Sequence, residues 1–277
     1  MGCSMKIKNC FQNLFYGFLI GVAMLIPGVS GGTIAVLLGI YDDLLSAVAN
    51  LFKRFFANFF FISSVGIGGL IGFVSMAGIV ENLLNTAKFT TTYFFIGIIV
   101  GSLLVMFSKY KTTNFVIKLP MLMLGAAVVM LLKFIPNNLI IYEGVSLWIR
   151  FAIIIVAGLM LGGALILPGI SFSMTLMTLG LYEVFLLSVN EFNIHVLLPI
   201  IFSTMFGAIV LSKILSICLS KHTDACQSMI IGFVIASLFE IFPGIPRGFS
   251  LLWSLLLMLF GILISVGLAL WTNKKRA

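Results

Sequence analysis

The sequence predicts an all-α polytopic membrane protein that contains two inverted-topology repeats. Of its 277 residues, 61% are hydrophobic and only 9% are charged, and the mean hydropathy is +1.25. A soluble domain carries about a quarter charged residues, so no soluble core could bury this much apolar surface. Its apolar runs reach about 20 residues, the length of a helix that crosses a bilayer. These runs lack the apolar–polar alternation of strands, which disfavours a membrane barrel.

A seven-residue motif occurs twice and is the strongest sign of a repeat. Pro-Gly-Val-Ser-Gly-Gly-Thr at 27–33 returns as Pro-Gly-Ile-Ser-Phe-Ser-Met at 168–174, an offset of 141 residues. The same offset pairs the Gly-x-Tyr-acid motifs at 39–42 and 180–183. A duplicated Pro/Gly/Ser break inside two apolar segments is typical of transporters built from repeats, with the site where the breaks meet.

Ten apolar runs divide equally between a first repeat, residues 1–145, and a second repeat, residues 146–277, within one membrane domain. The runs lie at about 11–26, 31–49, 59–80, 89–108, 119–135, 150–167, 171–189, 196–218, 226–242 and 250–271. We predict in each repeat a broken-helix or re-entrant hairpin plus three transmembrane helices, because the runs before the breaks are marginal for a span. Two full crossings in place of each hairpin are the alternative. With hairpins or with full crossings, each repeat crosses the membrane an odd number of times. The second repeat is therefore inverted relative to the first.

The basic residues indicate how the chain is oriented. With a cytoplasmic amino terminus, twelve of the sixteen Lys and Arg lie on the cytoplasmic side. The other four are Lys88, Lys133, Arg150 and Arg247. The positive-inside rule therefore predicts a multi-pass protein with both termini in the cytoplasm. The same bias explains the net charge of +8 without nucleic acid as a partner. We interpret Tyr41 and Tyr182 as anchors at the membrane interface.

Each break carries residue types that suit an anion. Gly28, Gly31 and Gly32 permit unusual dihedrals and let a ligand approach the backbone. Ser30 and Thr33 are suited to capping the helix that restarts there, whose amide donors favour a phosphate or carboxylate. The second break offers Gly169, Ser171, Ser173 and Thr175. These residues form the predicted anion site between two helix starts, although kinks and caps needed only for packing would give the same pattern.

Two acidic and three basic residues are further candidates. Asp42 and Glu183 are equivalent in the repeat, and acidic groups near apolar segments are costly, so they are candidates for binding a coupling proton or sodium ion. Ordinary interfacial acids are the alternative. Arg150, Lys133 and Arg247 are candidates for attracting an anionic head group on the outer side, unless they only snorkel at helix ends. The cysteines and histidines have no metal-ligand spacing, so we predict no metal and no cofactor.

With both motifs identified, the chain resembles the bacterial and archaeal polyprenyl-phosphate (undecaprenyl-phosphate) translocases, a family formerly described as a domain of unknown function. The resemblance covers Gly21 to Tyr41, Leu167 to Tyr182, and residues 232–238 followed by Pro243. It implies a flippase of the inner (cytoplasmic) membrane that returns undecaprenyl phosphate from the outer to the cytoplasmic leaflet. That step recycles the lipid carrier for peptidoglycan and other cell-envelope polymers. The polyprenyl-phosphate lipid and the membrane are then the expected partners, and the oligomeric state is open.

Two departures from the family pattern make the site more apolar. Phe172 stands where family members commonly have Gly, and Met24 stands where they often carry Asp or Asn. A secondary transporter of small anions is an alternative function. An undecaprenyl-pyrophosphate phosphatase is a weaker one, because such enzymes place an Arg where this chain has Gly31 or Phe172 and add a Glu-x-x-x-Glu pair that this sequence does not contain. We therefore predict a transporter rather than an enzyme.

Overall fold

The computed structural model describes residues 10–26, 28–109, 115–134 and 146–276, which form twelve helices and no strand. The helices are α1 Cys10–Met24, α2 Gly31–Leu37, α3 Tyr41–Ala49, α4 Phe55–Thr86, α5 Lys88–Lys109, α6 Phe115–Phe134, α7 Leu147–Ile166, α8 Phe172–Thr178, α9 Tyr182–Asn190, α10 Ile194–Lys221, α11 Thr223–Ile241 and α12 Phe249–Arg276. Six described helices are long and apolar enough to cross a membrane, namely α4, α5, α7, α10, α11 and α12. The all-α prediction is confirmed, and the chain is a multi-pass membrane protein.

The order of short helices recurs in the two halves. After each break, a seven-residue helix (α2 or α8) is followed by a nine-residue helix (α3 or α9). The chain turns between them at Gly39 and Gly180, whose φ angles are 70° and 69°. Glycine adopts this left-handed conformation without strain. The apolar runs at 31–49 and 171–189 are therefore each two short helices, and neither helix has the roughly 20 residues of a membrane span.

Four helix pairs make the main packing contacts. α1 packs on α4 and α7 packs on α10, each within one half, whereas α5 packs on α12 and α6 on α11 across the halves. Glycines allow the close approach: a Cβ on Gly21 would overlap the carbonyl oxygen of Gly69, and one on Gly162 would overlap that of Thr204. Small residues at such crossings let helices pack tightly in lipid, where apolar burial drives little association.

The first break lies inside this helix assembly. Buried apolar residues of α1, α2, α5 and α11, among them Tyr16, Ile34, Ile99 and Val234, form one cluster around it. Irregular backbone at membrane depth is tolerated where protein covers it or where it lines a wet cavity. The packing of α1, α2, α5 and α11 thus positions the break where its main-chain groups are shielded from lipid.

Candidate functional site

The first break, residues 25–30, and the second break, residues 167–171, lie directly against each other. The Ser30 hydroxyl donates a hydrogen bond to the Leu167 carbonyl at 3.3 Å. The Gly169 amide donates to Thr33 Oγ1 at 3.1 Å. A Cβ on Gly32 would stand 3.1 Å from the Cα of Pro168. The structure therefore brings the two copies of the motif into contact; Pro27 lies outside the described residues.

The serine of each motif caps the helix that follows its break. Ser30 precedes α2 with extended backbone (φ −92°, ψ 132°) and accepts a hydrogen bond from the Gly32 amide at 3.2 Å. Ser171 precedes α8 with nearly the same dihedrals (φ −86°, ψ 133°) and accepts from the Met174 amide at 3.5 Å. Capping by Ser30 is confirmed. The expectation that Thr33 also caps is wrong, because its hydroxyl accepts from Gly169 of the other break instead.

Main-chain hydrogen bonds also occupy amides that we expected to face a ligand. The Thr33 amide donates to the Ser30 carbonyl at 3.1 Å, and the Thr175 amide donates to the Ser171 carbonyl at 3.0 Å. Thr175 Oγ1 bonds the same carbonyl at 2.9 Å. The dipole of a helix is the sum of its aligned peptide dipoles, so helices as short as α2 and α8 have small dipoles. Side-chain hydroxyls and the remaining main-chain groups are therefore the main donors that this region can offer an anion.

A cavity of about 500 Å³ is lined by residues of both breaks and of the helices around them, and we call it the break cavity. Five of the eight residues predicted to bind phosphate line it: Ser30, Gly31, Gly32, Ser171 and Ser173. Most of the remaining wall is apolar. Among the described residues, the Ser173 hydroxyl has no hydrogen-bond partner. The lining of the cavity therefore combines a few polar groups from both motifs with a larger apolar part.

The other three predicted residues shape the breaks rather than line the break cavity. Gly28 and Gly169 have φ angles of 87° and 84°. A Cβ on Gly28 would stand 2.6 Å from Ile241 Cγ1, and one on Gly169 would stand 2.5 Å from the Phe233 carbonyl carbon. These glycines let each break turn sharply against α11. Thr33 is the acceptor that holds the Gly169 amide in this arrangement.

The two apolar departures from the family pattern both lie in the wall of the break cavity. Phe172 and Met24 line it, and the Phe172 ring packs edge-on against Phe185 with centroids 6.1 Å apart. Phe172 thus occupies space that a glycine would leave open. This makes the wall of the second break bulkier than that of the first, where Gly31 is the equivalent residue.

The predicted ion-coupling acids and Arg247 do not line this cavity. Asp42 and Glu183 are exposed in the first turns of α3 and α9, and neither lines the break cavity. An acid in the first helical turn is also favoured by the helix dipole. Arg247 is exposed between α11 and α12. The side chains of Lys133 and Arg150 lie outside the part of the chain that the structure describes.

Tyr41 belongs to the site, whereas the sequence predicted it at the membrane interface. It is only 6% exposed, and its hydroxyl donates to the Ile166 carbonyl at 3.0 Å, so the interpretation as an interfacial anchor is wrong. Its ring lines the break cavity together with the half-buried Tyr182. The cause is a contact between residues 125 positions apart, which no local pattern reveals.

Glu240 is a second residue that the sequence analysis missed. It lies in the last turn of α11 and lines a separate cavity of about 160 Å³, which we call the Glu240 cavity. Ser171, Thr175 and Thr178 supply hydroxyls to the same wall. An available signal was its position as the acid inside the apolar run at 226–242. A carboxyl group in such a run is costly and marks a functional candidate.

Comparison with known proteins identifies the family. Residues 20–247 match the VCA0040-like family, described as undecaprenyl phosphate translocase-like. The chain is similar to a polyprenyl-phosphate transporter of Staphylococcus aureus, with 34% identity over 270 residues that cover 92% of this chain and 95% of the relative. It is 27% identical over 254 residues to a polyprenyl-phosphate transporter of Vibrio cholerae serotype O1, covering 86% of this chain and 79% of the relative. No solved structure matches it. Because the family match spans most of the sequence and includes both breaks, the chain belongs to the undecaprenyl phosphate translocase-like family.

Proposed function

We propose that the protein transports polyprenyl phosphate. In detail, it moves undecaprenyl phosphate from the outer to the cytoplasmic leaflet of the inner membrane, where the carrier is reused in cell-envelope polymer synthesis. The relatives named polyprenyl-phosphate transporter support the substrate class. The observation that carries the proposal is the break cavity, because serines of both motifs line it together with a larger number of apolar side chains. A lipid with one anionic head group has the same division of polarity.

The phosphate group is held by hydroxyl and main-chain donors in this proposal. A phosphate that leaves water for an apolar cavity must recover hydrogen bonds, and bonds to a charged acceptor are the stronger kind. Ser171 and Ser173 present hydroxyls to the break cavity, and Gly31 and Gly32 leave the main chain accessible. Ser30 already donates to Leu167, so it either positions the second break or exchanges that carbonyl for the phosphate.

Weak binding suits this task better than tight binding. The residues that line the break cavity carry no positively charged side chain in the described part of the chain. A transporter must release its substrate on the far side. Its site must therefore bind the substrate strongly enough to be occupied and weakly enough to release it. The cavity volume of about 500 Å³ accommodates a phosphate group but not an undecaprenyl chain. The tail therefore stays in the lipid while the head group crosses.

The orientation follows from the charge distribution and is part of the same proposal. Both termini lie in the cytoplasm, the two repeats have inverted topology, and the two apolar runs that flank each break form a re-entrant hairpin. Lys133, Arg150 and Arg247 attract the head group on the outer side. Asp42 and Glu183 stand near the mouths of the hairpins, where they bind a coupling proton or sodium ion.

Reconstitution tests the proposed function directly. The purified full-length chain is placed in liposomes with labelled undecaprenyl phosphate in one leaflet, and the label in the other leaflet is followed over time. We expect protein-dependent transfer without release of inorganic phosphate. Release of phosphate from undecaprenyl pyrophosphate would indicate the enzyme instead. Uptake of sulfate or a small carboxylate without lipid transfer would indicate the small-anion transporter, and either result would contradict the proposal.

A further inference from the structure

Glu240 occupies a position from which it adjoins both breaks. Its side chain and Ser171 line the Glu240 cavity together, and Ser171 also lines the break cavity. A Cβ built on Gly28, in the first break, would stand 3.6 Å from the Glu240 Cγ. Ser171 and Ile170 are therefore the wall shared by the two cavities. A charge on Glu240 acts across this wall on whatever occupies the break cavity.

The duplication of the chain does not explain an acid at this position. Gly232 and Ser237 of α11 correspond to Gly97 and Ser102 of α5, an offset of 135 residues. By that offset the partner of Glu240 is Val105, which is half-buried in α5. The helix thus tolerates an apolar residue at the equivalent site. The carboxyl group is an addition to one repeat only, made on the helix that contacts both breaks.

The surroundings of Glu240 in the Glu240 cavity are mostly apolar. Its Oε1 atom is buried, and apart from three hydroxyl-bearing residues the cavity wall is largely apolar. α2 and α8 carry no ionisable residue. The helices that pack on α11 are α5, α6 and α10, and α7 adds Met160 to the cavity wall. The ionisable residues that these helices carry are Lys88, Tyr93 and Lys109 on α5, Lys118 and Lys133 on α6, Arg150 on α7, His195, Lys213, Cys218 and Lys221 on α10, and Asp224 and Cys226 on α11 itself. Lys133 lies one helical turn beyond Val129 of the cavity wall, and Asp224 lies at the far end of α11.

We propose that Glu240 is a proton-binding residue whose ionised form opposes a phosphate group at Ser171, so that the head group binds together with a proton. This inference rests on the proposed function and names a regulation of that same site. Two negative charges separated by one thin protein wall repel strongly, because little water screens them. Protonation of the carboxylate removes the repulsion and breaks no covalent bond. By reciprocity, a bound phosphate raises the proton affinity of Glu240 by the same free energy that protonation adds to phosphate binding.

The sign of the pH effect follows from this linkage. The phosphate-bound state holds the additional proton, so binding strengthens as the pH falls through the range in which free Glu240 becomes protonated. One coupled proton changes the affinity by at most about tenfold per pH unit. The phosphate monoester also titrates, with a second pKa of roughly 6, so its own contribution must be separated from that of Glu240.

Calorimetry on matched variants makes that separation. Binding of undecaprenyl phosphate to the full-length chain in nanodiscs is titrated from pH 5.5 to 8.5, roughly the range in which buried carboxyls titrate, in two buffers of different ionisation enthalpy. The difference between the buffers gives the protons taken up per head group. We expect wild type to take up more protons than Glu240→Gln. The affinity of wild type for the lipid should also change more with pH than that of the variant, by up to about tenfold per pH unit. Glu240→Asp keeps a titratable group and retains the dependence. Glu191→Gln removes an exposed carboxyl and matches wild type.

The possible results distinguish an error in the role of Glu240 from an error in the proposed function. If wild type and Glu240→Gln bind the lipid with the same proton uptake and the same pH profile, the role of Glu240 is wrong while the proposed function stands. If the folded wild-type protein does not bind undecaprenyl phosphate at any pH, the proposed function fails and the role of Glu240 fails with it. Thermal melting of each variant shows that a flat profile does not come from unfolding.

Discussion

Replacing Ser30 and Ser171 together by alanine is expected to reduce transport of polyprenyl phosphate at least about a hundredfold, because each hydroxyl lost from a charged acceptor costs about 1.5–3 kcal/mol. Both serines line the break cavity at equivalent positions of the repeat. The rate of leaflet-to-leaflet transfer in liposomes measures the effect. Each single variant should retain more activity than the double variant, since the other hydroxyl remains.

The same substitution also removes two helix caps, so folding must be measured beside transport. Loss of a serine cap costs about 1 kcal/mol, and Ser30 loses its bond to Leu167 as well. We therefore expect a lower melting temperature in detergent, with the protein still folded at assay temperature. A folded double variant that transports at the wild-type rate would contradict the role of the two serines in binding the head group.

The repeat supplies a matched control for this experiment. Ser102 and Ser237 are equivalent, almost fully buried, and each donates only to a carbonyl of its own helix, at 2.7 and 2.8 Å. The pair Ser102→Ala and Ser237→Ala removes the same atoms from the membrane domain without touching the break cavity. Its transport rate should stay within about twofold of wild type, because each hydroxyl bonds only within its own helix, where a hydrogen bond contributes about 1 kcal/mol to stability, and lies outside the break cavity.

Replacing Gly169 by alanine is expected to destabilise the protein more than any other single methyl addition at the breaks. Its φ of 84° costs a non-glycine residue about 1–2 kcal/mol. The new Cβ would also stand 2.5 Å from the Phe233 carbonyl carbon, where backbone must move, and overpacking of this kind costs about 1–3 kcal/mol. Thermal melting in detergent, together with the fraction of monodisperse protein, measures the loss.

Gly244 separates the two causes of that loss. Its φ is 90°, yet a Cβ there would meet no atom within 4 Å. Gly244→Ala therefore carries the backbone strain without the clash. We expect its melting temperature to fall by less than half as much as that of Gly169→Ala, on the sizes of the two costs. Equal losses would mean that the close approach of the second break to α11 contributes nothing to stability.

The repeated motif was sufficient to predict where the two halves meet. Pro-Gly-x-Ser fixes a break and a cap by local chemistry, and an identical spacing in both copies implies that they are used together. The structure places Ser30 against Leu167 and Thr33 against Gly169 accordingly. The sequence therefore predicted correctly which residues of each break carry polar groups.

The details that sequence did not provide depend on long-range contacts. Thr33 bonds Gly169 and Tyr41 bonds Ile166 only because the folded halves bring them together. Gly39 and Gly180 split the runs after the breaks, but a glycine within a helical pattern is tolerated and gives no separate signal. Glu240 has no acidic equivalent in the first repeat, so the symmetry that pairs Asp42 with Glu183 does not identify it. A residue that breaks the repeat is invisible to reasoning from symmetry.

A structure of the full-length chain with bound undecaprenyl phosphate tests the central claim most directly. We predict the phosphate in the break cavity, within hydrogen-bond distance of Ser171 or Ser173 and close to Gly31 and Gly32, with the prenyl tail passing out between apolar side chains into the lipid. A head group held elsewhere on the protein, with water filling the space between the two breaks, would contradict the account.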